Sequence, residues 1–198
     1  MMEKFENLIT TAIPLLHENI DTDQIIPARF LKAITRDGFG ENLFRDWRYD
    51  RNGVVNPNFP LNDPTYTGEI LISGRNFGCG SSREHAAWAI LDYGFKAVVS
   101  SFFADIFKSN ALNNGLLPVQ VSEPFLGQLM KDVLNNPKTL IEIDLQSQTI
   151  SILKSSHSES FEITAFQKQC LINGQDDFEF LLDQLESVEE YELLNKSS

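Results

Sequence analysis

Cysteine is scarce in this chain of 198 residues: only Cys79 and Cys170 occur. Two thiols make no disulfide framework, and they suit a reducing compartment such as the cytoplasm. His17 and His157 have no companions at metal-ligand spacing. No apolar run approaches the ~18 residues that a membrane span needs. The opening residues, Met1 to Glu6, lack the charged-then-apolar layout of a signal peptide. Positive charge is also short, with 16 Lys and Arg against 28 Asp and Glu, for a formal net charge of −12. Such a chain repels nucleic acid and acidic membranes at long range. Residues from Asp176 onward supply −7 of that charge. That stretch reads as a solvated amphipathic helix and tail, with a partner-docking face as the alternative.

No repeat or low-complexity segment occurs, and no linker calls for a second domain. The expectation is one domain over 1–198, with its core at about 5–175 and an acidic helix and tail beyond. Thr10 to Leu16 reads as a strand broken by Pro14. Asn19 to Pro27 is a polar loop, and the proline-rich stretch Asn52 to Pro64 is another. The middle alternates cleanly: strand Glu69–Ser73, helix Ser82–Tyr93, strand Lys96–Ser100, helix Ala104–Asn113, strand Leu116–Val121. That order implies parallel pairing with right-handed crossovers. Pro124 to Leu134 is helical in pattern. Leu140–Asp144, Gln148–Leu153 and Ser160–Thr164 alternate apolar and polar residues as half-buried antiparallel strands do. Two helices, Ala165–Ile172 and Asp176–Leu185, follow. The sum is an α/β fold, a parallel strand-helix-strand core with added antiparallel strands.

The segment Gly78-Cys79-Gly80-Ser81-Ser82-Arg83-Glu84-His85 is a glycine-rich turn running into a helix. Ser81 and Glu84 stand at capping-box spacing. Gly78 and Gly80 let a ligand approach the backbone. The N–H groups of a helix start favour an anion. Arg75 and Arg83 flank the turn, and arginine grips carboxylates with paired hydrogen bonds. The segment is not a phosphate-binding P-loop, which needs a lysine and a wider glycine gap. It is not a dinucleotide fingerprint, because Arg83 stands at the third glycine. It is not a nucleophile elbow either, for no Gly-x-Ser-x-Gly occurs.

This octapeptide resembles the Gly-x-Gly-Ser-Ser-Arg-Glu-His motif of the swivelling domain of the aconitase superfamily. Asn19 to Pro27 is similar to that family's N-terminal signature, and Phe107 to Pro118 to its second-helix motif. Phe39 to Tyr49 is similar to the free-standing small subunits of the isopropylmalate isomerases. The resemblance runs from about residue 10 to 120.

It implies a hydro-lyase that isomerises a hydroxy-dicarboxylate by removing water and adding it back. It implies a large-subunit partner that holds a [4Fe–4S] cluster, with no metal in this chain. It implies Ser81 as the base and Arg83 as the group that binds substrate and supports the alkoxide. Ser82, Arg36, Asp23 and Gly80 would border or bind the substrate, and Glu84 and His85 would orient the loop. A cluster takes three or four thiolates, so two cysteines cannot build one. Cys79 reads as a small loop residue rather than a reactive thiol, and Cys170 as core. Phe30 to Tyr49 reads equally as a side-chain-selecting loop and as packing. Related hydro-lyases acting on citraconate or homoaconitate, a dicarboxylate-binding module and a serine hydrolase are the other readings.

Overall fold

The structure is a computed structural model describing residues 2–5, 7–31, 38–155 and 157–183. Its frame is two four-stranded sheets that begin side by side. Strand β1 (Leu8–Thr10) and strand β2 (Ala12–Leu15) are separated by Thr11 alone, yet they join different sheets. The expected strand over Thr10 to Leu16 is therefore two strands. Pro14 does not break the second one, and pairs in register with Ile72. β2 is an edge strand, where a missing N–H can face outward without losing a ladder bond.

The parallel sheet has the order β2, β3 (Ile70–Ser73), β4 (Ala97–Ser100), β5 (Leu117–Gln120). β2, β3 and β4 are buried at every residue, as befits strands covered on both faces. Helix α3 (Glu84–Asp92) links β3 to β4, and helix α4 (Asp105–Asn113) links β4 to β5. The alternating order and the parallel pairing match the expectation from sequence.

The antiparallel sheet has the order β1, β6 (Ile141–Asp144), β7 (Thr149–Ile152), β8 (Ser158–Ser160). Its central strands alternate buried with partly exposed residues, so it has one core face. β8 lies earlier than the Ser160–Thr164 expected. Its ladder ends at the Thr149–Ser160 pair, next to Gln148, which takes a positive φ of 56° in the turn before β7. Phe161 is still buried, but it packs from outside the ladder.

The two faces of the parallel sheet sort the core. Ile70, Ile72, Val99 and Val119 pack with Ile141, Ile143, Ile150 and Ile152 of the antiparallel sheet. Helix α5 (Glu123–Asn135) adds Phe125, Leu126, Leu129 and Val133 to this side. Leu71 and Val98 point to the other side, against Ala86, Ala87 and Ile90 of α3 and Phe107 and Ala111 of α4. Two short helices, α1 (Thr22–Ile25) and α2 (Arg45–Arg48), bring Ile25, Ile26, Leu43 and Phe44 to the same side. The layers are thus antiparallel sheet, parallel sheet and helices.

Helices α6 (Ala165–Asn173) and α7 (Asp177–Asp183) follow near their expected places. Cys170 is buried in α6, as expected. The acidic tail expected beyond 183 lies outside the described residues.

Candidate active site

The loop from Gly74 to Arg83 leaves the carboxyl end of β3, in the middle of the parallel sheet. Open α/β sheets place ligand sites at this end of the strands. Both sides of the loop are strapped by backbone hydrogen bonds. On one side Gly78 and Cys79 N–H groups donate to Ile20 O (2.8 and 3.1 Å), and Thr22 N–H donates to Cys79 O (2.9 Å). On the other, Phe77 N–H donates to Phe102 O, and Ala104 N–H to Phe77 O, both at 3.0 Å. Thr22, itself buried, adds a hydroxyl bond to Ser81 O at 2.9 Å.

Two glycines make this path possible. Gly78 has a φ of 76°, and a Cβ there would lie 2.2 Å from Cγ of Phe107. Gly80 has a φ of 90° and faces the Asp21 side chain. Left-handed backbone is cheap only for glycine. The loop therefore delivers Ser81 and Ser82 to the surface. Both are exposed, and neither hydroxyl has a hydrogen-bond partner among the described residues.

The expected capping box between Ser81 and Glu84 is not formed. Helix α3 starts two residues later than expected, with Arg83 at the N-cap and no side-chain cap. Glu84 instead accepts from Asn114 Nδ2 at 3.1 Å. Asn114 is buried, and it also accepts from Trp88 Nε1 (2.8 Å) and donates to Asn110 O (2.8 Å). This network ties the first turns of α3 to the end of α4. Sequence reading gave Asn114 no role, because an Asn-Gly pair after a helix reads as an ordinary stop. The His85 ring packs between Phe39 (5.4 Å) and Trp88 (4.6 Å). It makes no hydrogen bond to Ser81, so the hydrolase reading lacks its base.

A true capping box occurs at α1. The Asp21 carboxylate accepts from Gln24 N–H, while the Gln24 side chain accepts from Asp21 N–H. The box orients α1 so that Asp23 faces Arg83. Arg83 makes two hydrogen bonds to the Asp23 carboxylate, the one from Nη2 at 2.8 Å, and a third to Ile26 O at 3.5 Å. The Arg83 side chain is only 14% exposed, whereas Asp23 is 52% exposed. The guanidinium is thus held in place from one edge. The hydrogen bonds from Arg83 hold the Asp23 carboxyl below its usual range, with burial opposing them.

Several expected members stand elsewhere. Arg75 does not face the turn but pairs with Glu123 at the start of α5 (3.3 Å). Arg36 lies outside the described residues. Burial pushes the Cys79 thiol up, and the Asp21 charge adds to this, so the thiol is not activated. The His17 ring packs at a tilt against Trp47, with centroids 4.8 Å apart. Phe39, Leu43 and Phe44 are buried, so these residues of the Phe30 to Tyr49 stretch serve packing. A cavity of about 840 Å³ opens between Arg29, Arg45, Tyr49 and Arg51, and it does not include the serines.

The β/β/α layering and the strapped serine loop define a protein class, the aconitase C-terminal domain, whose family model matches residues 2–124. The 3-isopropylmalate dehydratase small subunit of Christiangramia forsetii is 61% identical over 96% of this chain and 93% of its own length. The corresponding subunit of Cytophaga hutchinsonii is 55% identical over 98% of this chain and 97% of its own. Among solved structures, 3-isopropylmalate dehydratase from Methanocaldococcus jannaschii superposes with a TM-score of 0.68 at 27% identity, covering 93% of this chain and 99% of that one. The chain belongs to the aconitase C-terminal domain family, among its 3-isopropylmalate dehydratase small subunits.

Two outcomes test this geometry. Gly78→Ala must push against Phe107 in a left-handed backbone, and should cost about 3 kcal/mol in urea denaturation. Asp23 has a folded pKa below its unfolded value, so its pairing stabilises the fold above the usual carboxylate range, about pH 3.9. The stability gap between wild type and Asp23→Asn should be level above about pH 5 and close progressively as acid protonates Asp23.

Proposed function

We propose that this chain is the small subunit of a two-chain hydro-lyase that interconverts 2-isopropylmalate and 3-isopropylmalate through 2-isopropylmaleate. The observation that carries the reading is the exposed Ser81 hydroxyl on a loop strapped from both sides, two residues before an arginine anchored by Asp23. The curated relatives bear this enzyme's name.

Removing water from a malate-type acid needs a base for the proton on the carbon beside a carboxylate. It also needs a Lewis acid for the departing hydroxyl. Ser81 is the base in this reading. A serine alkoxide is uphill in water and must be stabilised where it forms. Two sources follow it closely in sequence: the start of α3, whose N-cap residue Arg83 supplies no side-chain cap, and the Arg83 guanidinium itself. Asp23 occupies one edge of that guanidinium. Its Nε–H and the second Nη2–H have no partner among the described residues, which leaves donors for a substrate carboxylate. Ser82 donates to the substrate, and Gly80 keeps the approach clear of a side chain. Asp23 is therefore an anchor for Arg83. A carboxylate there would repel a dianion if it touched it. Glu84 and His85 fix the helix start through Asn114, Phe39 and Trp88. Arg36 is proposed as a second substrate arginine on resemblance alone.

This chain's residues do not fit an iron–sulfur cluster. Among the described residues, no three His, Cys, Asp or Glu side chains are grouped to hold a metal. The [4Fe–4S] cluster belongs in this reading to the large subunit, where it supplies the Lewis acid. Rehydration reverses the proton step: Ser81 returns its proton to carbon when water adds in the opposite sense. The reading places the enzyme in the cytoplasm, where both thiols stay reduced.

Anaerobic reconstitution with the iron–sulfur large subunit tests it. The chain alone should turn over nothing, and the pair should convert 2-isopropylmalate faster than citramalate-type or homoaconitate-type acids. Ser81→Ala should lower kcat by about 10³-fold or more, as loss of a positioned acid–base group does. Ser82→Ala should chiefly raise KM. Full turnover by the Ser81→Ala pair would overturn the base assignment.

A further inference from the structure

The backbone straps of the serine loop stop short of Ser81. The last of them ends at Cys79, whose carbonyl accepts from Thr22 N–H at 2.9 Å. The next backbone bond, Ala86 N–H to Arg83 O at 3.2 Å, already belongs to the start of α3. Between these points lie Gly80, Ser81 and Ser82. Among the described residues their backbone has one hydrogen bond, from Thr22 Oγ1 to Ser81 O at 2.9 Å. The tie that reaches Ser81 itself is therefore a side chain.

Thr22 suits that task. It is 1% exposed and is the first residue of α1, whose start the capping box of Asp21 and Gln24 fixes. A β-branched side chain has few χ1 choices, so the hydroxyl is held in direction as well as in place. A peptide unit is planar, so a bond to Ser81 O restrains the plane that carries the Cα atoms of Ser81 and Ser82. The neighbour Asp23 grips Arg83. Two consecutive residues of α1 thus set Ser81 and Arg83 relative to each other. We propose that Thr22 is a positioning residue for the proton transfer, its hydroxyl aiming Ser81 at the carbon that loses the proton. This role rests on the reading of Ser81 as the base and deepens it. Thr22 is too buried to touch substrate, so it acts through Ser81. Ser82 and Arg83 keep their own donors, so substrate binding should survive its loss.

The test reconstitutes full-length variants anaerobically with the iron–sulfur large subunit. It measures kcat, KM, melting, and the isotope effect from substrate deuterated at the carbon that is deprotonated. Thr22→Val keeps the shape and removes the donor. It should lower kcat about 30-fold, within what an ångström of misplacement costs, and leave KM within about threefold. Thr22→Ser keeps the donor and should stay within about fivefold of wild-type kcat. Melting should fall by no more than about 4 °C in either, the effect of one hydrogen bond. The isotope effect on kcat in Thr22→Val should equal or exceed that of wild type, because the proton step is the one slowed. Wild-type kcat in Thr22→Val overturns the role. So does an equal loss in Thr22→Ser, which makes the methyl packing the operative feature. An isotope effect that shrinks also overturns it, by placing the defect in binding or release. Should Thr22→Val not fold, Thr22→Ala carries the same comparison. Ser81→Ala separates the two levels. Full turnover by that variant removes the base reading and the role of Thr22 with it. A collapsed Ser81→Ala beside an unaffected Thr22→Val removes the role of Thr22 alone.

Discussion

The site depends on one constraint, the double strapping of a loop that would otherwise be free. Residues 77–79 continue the line of β3 beyond the sheet, bonded to residues 20–22 on one side and to 102–104 on the other. Three separate parts of the chain are thereby locked together at one point. A hydroxyl on an ordinary surface loop would move by ångströms, and a proton transfer would not tolerate that. Here the backbone on both sides of Gly78 is spoken for, and the φ values of Gly78 and Gly80 leave no other residue type at ease. The rigidity of the sheet is carried out to Ser81.

Electrostatics complete what the straps begin. The chain carries many more acids than bases, yet the loop meets the surface beside a guanidinium and a helix start. Asp23 is the less obvious part. Taken alone, an acid next to an anion site looks like a fault. Paired edge-on with Arg83, it fixes the direction of the remaining donors. The local charge is then closer to neutral, and under the proposed function anion binding would depend on aimed N–H groups more than on net charge. This suits a half-site whose remaining charges come from elsewhere.

Much of this was legible in the residues. Continuous apolar runs at β3 and β4 and the clean helical patterns between them announce a parallel core, because both faces of those strands are covered. The octapeptide announces the loop. What sequence could not show was long-range closure. The spacing of Ser81 and Glu84 fits a capping box, but Asn114, thirty residues on, takes the glutamate. Pro14 looks like a strand breaker until its strand is known to be an edge. Arg75 looks like a flank of the site until Glu123 draws it away. In each case a local rule was right about the residue's capacity, and a distant partner decided its use.

Thr11 is the only residue between β1 and β2, which enter different sheets with partners far apart along the chain. Leu8 pairs with Ile143, and Ala12 with Ile70. During synthesis the ribosome delivers residue 70 well before residue 143. At ~5–20 residues per second, β1 waits on the order of ten seconds for its partner strand. Its neighbours Phe5 and Ile9 are apolar, so this segment is a sticky stretch for that interval. The yield of folded protein should therefore depend on how that interval is protected, because β1 is among the last strands to be paired.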